Sequence, residues 1–243
     1  MGAERKHMIE NKGAPIGIIG AMDDEVAGLI AMLEDRCERE ISGLKFYTGT
    51  IYSKPVVIAK CGVGKVFAAM CASVMIAAFS PVLIVNSGVA GGLSPVLDCA
   101  DIVVADKLVQ YDMDTSPLGD PKGLISGINK VYFEADARAV ELLKSAAADL
   151  GVKAHVGGIA TGDKFVASKE QRDSILSDFP GSMCCEMEGG AVAHASFVGK
   201  TPFAVVRAIS DGANSESALD FPAFLKIAAK NSTALTLALI EKY

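Results

Sequence analysis

The chain of 243 residues contains no tryptophan, and aromatic residues make up only 6% of it. Its net charge is −6 at pH 7, so it lacks the excess of positive charge with which proteins neutralise the phosphates of nucleic acid. The shortage of aromatic side chains also argues against a surface on which bases stack. Nucleic acid is therefore not expected as a partner.

Residues that bind metals are equally scarce. The sequence has three scattered histidines, and its six cysteines form neither a C-x-x-C pair nor another metal-ligand spacing. Most of the cysteines lie inside apolar runs, where a free thiol behaves as a small hydrophobe. We expect buried, reduced cysteines, no metal site and a cytoplasmic location, where thiols stay reduced.

Long apolar runs are also missing. No segment reaches the roughly 18–20 residues that a transmembrane helix needs without a charge or a glycine break. The polar stretch before Pro15 lacks the apolar region of a signal peptide. We expect residues 1–14 to be a disordered leader, native or added for expression, and residues 15–243 to form a single domain with no membrane association.

What the sequence does have is an alternation of short apolar runs and helical patterns. Runs typical of buried strands lie at 15–20, 82–86, 101–109, 155–161, 183–187 and 202–210. Helices are predicted at 65–79, 136–150, 188–198 and 221–240. This alternation predicts an α/β fold with a mostly parallel sheet and helices on both faces. Two further runs, 44–51 and 55–61, flank a short turn like a β-hairpin, which predicts a mixed sheet.

The turn after the first strand, Gly20-Ala21-Met22-Asp23-Asp24-Glu25, excludes a dinucleotide-binding enzyme. It does not match the G-x-G-x-x-G pattern, and its acidic residues would repel a pyrophosphate at the N-terminus of the next helix. The glycine-rich segments 62–65 and 88–92 do not match a Walker A loop either. Rossmann and P-loop enzymes are therefore not expected.

Four carboxylates lie at or just after predicted strands: Glu25, Glu186, Glu188 and Asp211. Ligands of open α/β sheets bind at the carboxyl ends of strands, so these residues are site candidates. Glu186 and Glu188 would equally suit the N-terminus of a helix, where the macrodipole favours negative charge. Spacing alone does not decide between the two interpretations.

A set of carboxylates in different surroundings can divide acid–base chemistry. One that stays protonated acts as an acid, another activates water, and a third holds hydroxyl groups. Cleavage of a glycosidic bond uses this division, because anions stabilise its oxocarbenium-like transition state. The residues alone favour such chemistry on a neutral polar ligand over a carboxylate-only metal site, for which no histidine or phosphate partner is evident.

Five motifs occur together from about residue 15 to the C-terminus. They are IGIIGAMDDEV at 16–26, GVGK at 62–65, NSGVAGGL at 86–93, EME at 186–188 and VRAISD at 206–211. In their order and spacing they resemble the 5′-methylthioadenosine/S-adenosylhomocysteine nucleosidase family. Each motif is weak alone, and together they are highly specific.

This resemblance implies a single three-layer α/β/α domain of the nucleoside phosphorylase type, with a mixed, mostly parallel central sheet. It implies an irreversible hydrolase of methionine salvage that releases adenine from 5′-methylthioadenosine, S-adenosylhomocysteine or 5′-deoxyadenosine. It also implies a homodimer, in which the neighbouring subunit helps to close the pocket for the 5′ substituent. Neither a metal nor an organic cofactor is expected.

By position, the resemblance assigns catalysis to two residues. Glu25 would be the general base that activates water for attack on the anomeric carbon, and Asp211 the acid that protonates adenine N7. Ser210 would help to orient Asp211. Glu188 would bind the ribose hydroxyls, with Met187 as the wall beneath the sugar.

The resemblance also implies a pocket around these residues. Phe165 and Val166 would hold adenine through ring packing and backbone hydrogen bonds. Further substrate contacts are expected from Met22, Val63 and Phe221 around the ribose and 5′ substituent, and from Ala90 and Gly91 in a backbone turn. Glu186 is included as well, although direct contact and a supporting role remain equally open for it. Arg207 is expected to pair with one of the acids and to have no catalytic role.

Two departures from the family pattern affect specificity. Val89 stands where many members have a small hydroxyl residue, and segment 118–123 contains fewer aromatic residues, so the preferred 5′ substituent stays open. The alternatives are an aminodeoxyfutalosine or futalosine hydrolase using the same acids, a phosphorolytic purine nucleoside phosphorylase relative, and a non-catalytic nucleoside-binding protein. Glu25 disfavours the phosphorylase because it would repel the phosphate.

Overall fold

The computed structural model describes residues 13–211 and 221–243, with the backbone alone for residues 211 and 221–226. The strands are β1 (Ile16–Gly20), β2 (Glu34–Ile41), β3 (Leu44–Ile51), β4 (Lys54–Lys60), β5 (Leu83–Gly92), β6 (Ile102–Gln110), β7 (Tyr132–Glu134), β8 (Ala154–Thr161), β9 (Ser182–Glu186) and β10 (Phe203–Asp211). The helices are α1 (Asp23–Ala31), α2 (Lys65–Phe79), α3 (Ala137–Asp149), α4 (Lys169–Asp178), α5 (Gly189–Val198) and α6 (Phe221–Lys242), with a short 3-10 helix at Ser116–Leu118. Residues 1–12 of the expected leader lie outside the described residues.

The strands form one sheet that partly closes on itself. Its order is β10-β6-β8-β9-β5-β1-β4-β3-β2, and β10 also pairs with β5. Strands β5, β9, β8, β6 and β10 therefore form a ring, from which β1, β4, β3 and β2 extend as an open sheet. Among the described strands, five pairings are parallel and five antiparallel. The sheet is mixed, as the hairpin signal predicted.

Helices cover both faces of the sheet. On one face α2 and α5 pack against it, with Ala72 and Val192 in the same core as Ile84. On the other face α1, α3 and α6 share a second core, which includes Leu29 and Leu143. The predicted three-layer α/β/α arrangement is confirmed. It forms because both faces of the central strands are apolar, so that both must be covered.

The central strands were predictable because they are buried on both faces. All five residues of β1 are buried, as are residues 83–90 of β5, so both strands appear in the sequence as continuous apolar or small-residue runs. β5 extends beyond the predicted end at 86 and includes the glycine cluster up to Gly92. Hydrogen bonding to β10 and β9 continues the strand through these small residues.

Two strands were missed by the sequence patterns. β2 has the sequence EDRCEREI and seven exposed residues, so it has no apolar face that a pattern would detect. It pairs with β3 at the edge of the sheet, and its charges suit an edge that must not pair with another chain. β7 has only three residues and pairs with β6.

The long segment 111–131 is irregular, apart from the short 3-10 helix and a bridge between Ile125 and Lys130. Across the described ranges, none of the helices combines the length and the apolar character needed to cross a bilayer.

Candidate active site

The predicted acids converge at the carboxyl ends of β1, β5, β9 and β10. Strand pairing brings them there: Gly91 of β5 lies opposite both Cys185 of β9 and Asp211 of β10. Glu25 enters from the first turn of α1, just after β1. Glu186 ends β9, and Glu188 is the N-cap residue of α5. Residues separated by up to 186 positions in the chain are thus grouped at one edge of the sheet, as expected for this class of fold.

Glu25 is 1% exposed, and its carboxylate is held by three backbone N–H groups. Its Oε2 accepts hydrogen bonds from Ala21 at 2.6 Å and Met22 at 3.0 Å. Its Oε1 accepts one from Val89 at 3.0 Å. The acidic turn after β1 and the glycine cluster of β5 therefore fix one carboxylate orientation between them.

The backbone of β5 can approach Glu25 this closely because residue 88 is glycine. A Cβ atom at Gly88 would collide with Glu25 Oε1 and with the guanidinium of Arg207. This close approach explains the glycine at the centre of the Asn86–Gly92 motif.

Arg207 lies at the centre of the acid cluster, where the sequence predicted only an ion pair for it. Arg207 belongs to β10, is 1% exposed and lies among the acids. Its Nη2 donates to Asn86 Oδ1 and forms an ion pair with Glu186 Oε2. The same nitrogen lies 3.7 Å from Glu188 Oε2. Burial alone would lower the pKa of Arg207, but the attraction of Glu186 and the other nearby carboxylates outweighs it and raises the pKa.

The expected pairing of Arg207 with an acid is therefore present, but the residue does more than pair. Its Nη1 also donates to the carbonyl of Val89 at 3.4 Å, so its guanidinium links three strands. A lone arginine within the apolar run Phe203-Ala204-Val205-Val206-Arg207-Ala208-Ile209 was the available signal. A buried cation requires buried counter-charges, and several acids were predicted at the same edge.

Both carboxylate oxygens of Glu186 have protein partners. Oε1 accepts a hydrogen bond from the Thr161 hydroxyl. Oε2 accepts the N–H groups of Glu188 at 2.9 Å and Gly189 at 2.7 Å, in addition to its ion pair with Arg207. Glu186 thus caps the N-terminus of α5 from the end of β9, where the helix dipole favours an anion.

Glu188 is an acid of this cluster whose pKa is raised by its surroundings. It is 4% exposed, and its Oε1 accepts the N–H of Gly64 at 2.9 Å. Burial, together with the negative charge of Glu186, raises the pKa of Glu188 to about 7. These two effects outweigh the attraction of Arg207, which lowers the pKa. A carboxyl group titrating near neutrality is a feature typical of functional sites.

The remaining predicted site residues differ in how exposed they are. Ser210 is buried and donates its hydroxyl to the carbonyl of Ala90 at 3.3 Å. Val166 packs into a small core with Ile175, whereas Phe165 is 54% exposed. Met22, Gly91 and Met187 are partly buried, Ala90 is buried, and Val63 is 51% exposed. The side chains of Asp211 and Phe221 lie outside the described residues.

No group of three or more His, Cys, Asp or Glu side chains suited to a metal ion occurs among the residues described. His194 on α5 stacks on Phe133 with ring centroids 5.3 Å apart and lies 3.2 Å from the amide of Gln110. Burial lowers the pKa of His194. From its position on α5, His194 therefore packs against β6 and β7.

Comparison with known proteins agrees with this geometry. A model of the phosphorylase superfamily matches residues 15–241. The chain is 39% identical to the 5′-methylthioadenosine/S-adenosylhomocysteine nucleosidase of Oceanobacillus iheyensis over 227 residues, which cover 93% of this chain and 99% of that protein.

Solved structures give the same result. The nucleosidase of the same name from Neisseria meningitidis, in complex with methylthio-immucillin-A, is similar with a TM-score of 0.91 and 32% identity, covering 95% of this chain and 100% of that one. The futalosine hydrolase of Helicobacter pylori is similar with a TM-score of 0.90 and 33% identity, covering 98% and 100%. The chain therefore belongs to the phosphorylase superfamily and, within it, to the 5′-methylthioadenosine/S-adenosylhomocysteine nucleosidase family that its motifs predicted.

Proposed function

We propose that this protein hydrolyses the N-glycosidic bond of 5′-methylthioadenosine, S-adenosylhomocysteine and 5′-deoxyadenosine, releasing adenine and the 5-substituted ribose. The observation that carries the proposal is the buried Glu25 carboxylate, fixed by three backbone N–H groups beside Arg207 and a second buried acid, Glu188. Such an arrangement suits a base that activates water next to a sugar. The proposed setting is methionine salvage in the cytoplasm.

In the proposed reaction, Glu25 takes a proton from water while the water oxygen attacks the anomeric carbon. The bond between that carbon and adenine N9 breaks, and its electron pair passes to the base. Asp211 protonates adenine N7, which makes adenine a neutral leaving group, and Ser210 orients Asp211. General acid and base groups of this kind each contribute about 10²- to 10⁴-fold to rate.

Glu188 is proposed to accept hydrogen bonds from the ribose hydroxyls, with Met187 beneath the sugar. Ionised Glu188 is the better acceptor, so its pKa of about 7 makes substrate binding depend on pH near neutrality. Glu186 is proposed to support the site without contacting the nucleoside, since its oxygens already accept hydrogen bonds from Thr161, Glu188 and Gly189.

Adenine and the 5′ substituent are proposed to occupy the two ends of the same pocket. Phe165 and Val166 would enclose adenine, with the half-exposed ring of Phe165 packed against the base. Other proposed contacts come from Met22, Val63 and Phe221 around the ribose and 5′ group, and from Ala90 and Gly91 along the turn of β5.

Water is favoured over phosphate as the nucleophile. A phosphate would meet the negative charge of Glu25, and the described cation beside it, Arg207, is already paired with Glu186. Futalosine or aminodeoxyfutalosine hydrolysis is the second candidate. It is favoured by the similarity to the Helicobacter pylori futalosine hydrolase at 33% identity, and it would use the same acids.

We also propose that the protein is a homodimer formed through α2 and α5. On α2, Val66 is 71% exposed, with Phe67 and Met70 also exposed, and Val198 at the end of α5 is 63% exposed. A groove of about 730 Å³ runs between the two helices. Exposed apolar surface of this kind marks protein interfaces. The neighbouring subunit would then complete the 5′ pocket through segment 111–131.

The function is tested by measuring adenine release in parallel from 5′-methylthioadenosine, S-adenosylhomocysteine and 6-amino-6-deoxyfutalosine, with and without phosphate. We expect fast release from the first two substrates, no acceleration by phosphate and no ribose 1-phosphate. A ribose 1-phosphate product would make the protein a phosphorylase. Preference for the deoxyfutalosine substrate would favour the second candidate, and absence of turnover on all three would leave a nucleoside-binding protein.

A further inference from the structure

Three charged residues outside the acid cluster form a closed hydrogen-bonded ring. The backbone N–H of Lys65 donates to Asp163 Oδ1 at 2.8 Å. The backbone N–H of Asp163 donates to Asp112 Oδ2 at 2.9 Å. The ring closes through an ion pair of 2.6 Å between Lys65 Nζ and Asp112 Oδ1. It joins the loops after β4, β6 and β8, which are distant in sequence.

The ring includes the N-terminus of α2. This helix starts at Lys65 and has neither a capping side chain on Gly64 nor an acidic residue in its first turn. Asp163, from a different loop, supplies the missing carboxylate, which both satisfies a free N–H group and complements the helix dipole. Gly64 has a φ of 101°, in the left-handed region that favours glycine.

The ring is one residue away from the proposed ribose-binding acid. Gly64 N–H donates to Glu188 Oε1 at 2.9 Å, and the next N–H along the chain, that of Lys65, donates to Asp163. Two neighbouring N–H groups are therefore each held by a carboxylate. The two N–H groups belong to successive planar peptide groups joined at the Gly64 Cα atom, so fixing the Lys65 N–H limits the conformations open to the chain at Gly64.

The ion pair in the ring is protected from water. The side chains of Lys65 and Asp112 are 19% and 18% exposed. By contrast, those of the surface pair Lys144 and Glu141 are 45% and 70% exposed. Exposed pairs contribute little because water and salt screen them, and screening weakens with burial. Within the ring, the Lys65–Asp112 pair is thus a firmer link between its loops than the surface pairs are.

We propose that Lys65, Asp112 and Asp163 are positioning residues for substrate binding. They hold the loops after β4, β6 and β8 together so that Gly64 N–H keeps Glu188 in the orientation that accepts the ribose hydroxyls. Asp163 also lies two residues before Phe165, so the same ring joins the ribose-binding and adenine-binding parts of the pocket. The inference rests on the proposed role of Glu188.

The test compares Asp163→Ala and Lys65→Met with the wild type in steady-state kinetics on 5′-methylthioadenosine. Asp163→Ala removes the helix cap, which should raise KM roughly 3- to 30-fold, with a smaller change in kcat, because ribose binding contributes to the bound substrate and to the transition state alike. Lys65→Met keeps the Lys65 N–H but removes the ion pair with Asp112, so KM should rise in the same direction by a smaller factor. Asp163→Asn keeps an oxygen acceptor for the Lys65 N–H, and it should restore most of the affinity. If Asp163→Ala does not fold, Lys65→Met carries the test.

A matched control removes a similar ion pair elsewhere. Lys242 of α6 pairs with Asp149 of α3, away from the site. Lys242→Met should leave KM within about twofold of the wild type, because a surface pair contributes little.

The pH profile provides a readout that a purely structural role would not move. The charged groups facing Glu188 are Arg207 on β10, Glu186 on β9 and Glu25 on α1, and the ring variants leave all three in place. The Gly64 hydrogen bond lowers the pKa of Glu188. Loosening it should therefore move the acidic limb of kcat/KM to higher pH in Asp163→Ala and Lys65→Met.

The outcomes separate this inference from the proposed function. If the wild-type protein does not release adenine, the function itself fails, whatever the variants do. If the wild type is active while both ring variants keep its KM and its acidic limb, the ring has no positioning role and the inference is overturned. An equal loss in Lys242→Met would overturn it as well.

Discussion

Arg207 and Glu186 form an ion pair inside the protein, with 1% and 2% of their side chains exposed. A buried pair of this kind is costly to desolvate, so it is not retained for stability alone. Here it allows several further carboxylates to lie in the same buried region. Glu186 and Asn86 hold the guanidinium, and the guanidinium in turn attracts Glu188 and Glu25.

Replacing the cation should therefore destabilise the fold strongly. Arg207→Met leaves Glu186 buried without its partner, and we expect it to lower the free energy of unfolding by about 3–5 kcal/mol. Urea denaturation of the variant measures the change. Arg138→Met is the control, because Arg138 contacts the C-terminal Tyr243 on the surface and its loss should cost less than about 1 kcal/mol. A similar loss in both variants would show that the buried charges are not the cause.

The role of Glu25 is tested by Glu25→Gln. The amide cannot accept a proton from water, so turnover should fall by about 10²- to 10⁴-fold, while a nucleoside ligand still binds. Adenine release and calorimetric titration with a non-hydrolysed analogue measure the two properties. Asp24→Asn changes an exposed neighbour in the same turn and should remain active. Near-normal turnover of Glu25→Gln would remove it from the catalytic role.

The raised pKa of Glu188 predicts an effect of pH on stability. Its pKa of about 7 in the folded protein lies above the ordinary value of 4.5, so the folded state binds the proton more tightly than the unfolded state does. The contribution of this group is fully present below pH 4.5 and is lost as the pH rises through 7. The free energy of unfolding should fall by roughly 1–3 kcal/mol across this range.

Glu188→Gln should remove this dependence, because the amide does not titrate. The variant should be more stable than the wild type at pH 8 and should bind the nucleoside more weakly, which thermal unfolding and titration measure at several pH values. Glu141→Gln, at an exposed position on α3, should leave the pH dependence unchanged. A wild-type stability that does not fall between pH 4.5 and 7 would contradict the assigned pKa.

The proposed dimer is tested by placing a charge on its apolar face. Val66→Glu would bury a carboxylate in the interface, which is unfavourable without a partner, so the dimer should dissociate at concentrations where the wild type stays associated. Light scattering coupled to size-exclusion chromatography measures the mass. Leu150→Glu, at an exposed apolar site after α3, should have the wild-type mass. A monomeric wild type would exclude the dimer.

Much of the architecture was predictable from local patterns. The bounds of α2 match the prediction at both ends, because an alanine-rich segment follows a Gly-Val-Gly turn. At the start of α4, Ser168 is the N-cap residue and Gln171 completes a capping box, an arrangement that the local S-x-x-Q pattern favours. β2 was not predictable, because an edge strand exposed along seven of its residues carries no alternation of apolar and polar side chains.

The candidate site was likewise predictable only in part. Glu25, Glu186 and Glu188 were identifiable because carboxylates at the ends of buried strands are unusual and fall at the ligand-binding edge of such sheets. The different contacts of Glu186 and Glu188 were not predictable from spacing, which treats the two residues alike. The difference comes from their partners, Thr161 and α5 for the first and Gly64 for the second.

The sequence by itself determined the family, the order of the elements and the acids at the strand ends, because these depend on local composition and on motifs of a few residues. Tertiary structure alone decided the closure of the sheet through β10 and β5, the buried position of Arg207 and the contact between Gly64 and Glu188. The pairing of β10 with β5 and the contact between Gly64 and Glu188 join residues more than a hundred positions apart. Their geometry depends on how whole loops and strands pack together, which no short stretch of sequence specifies.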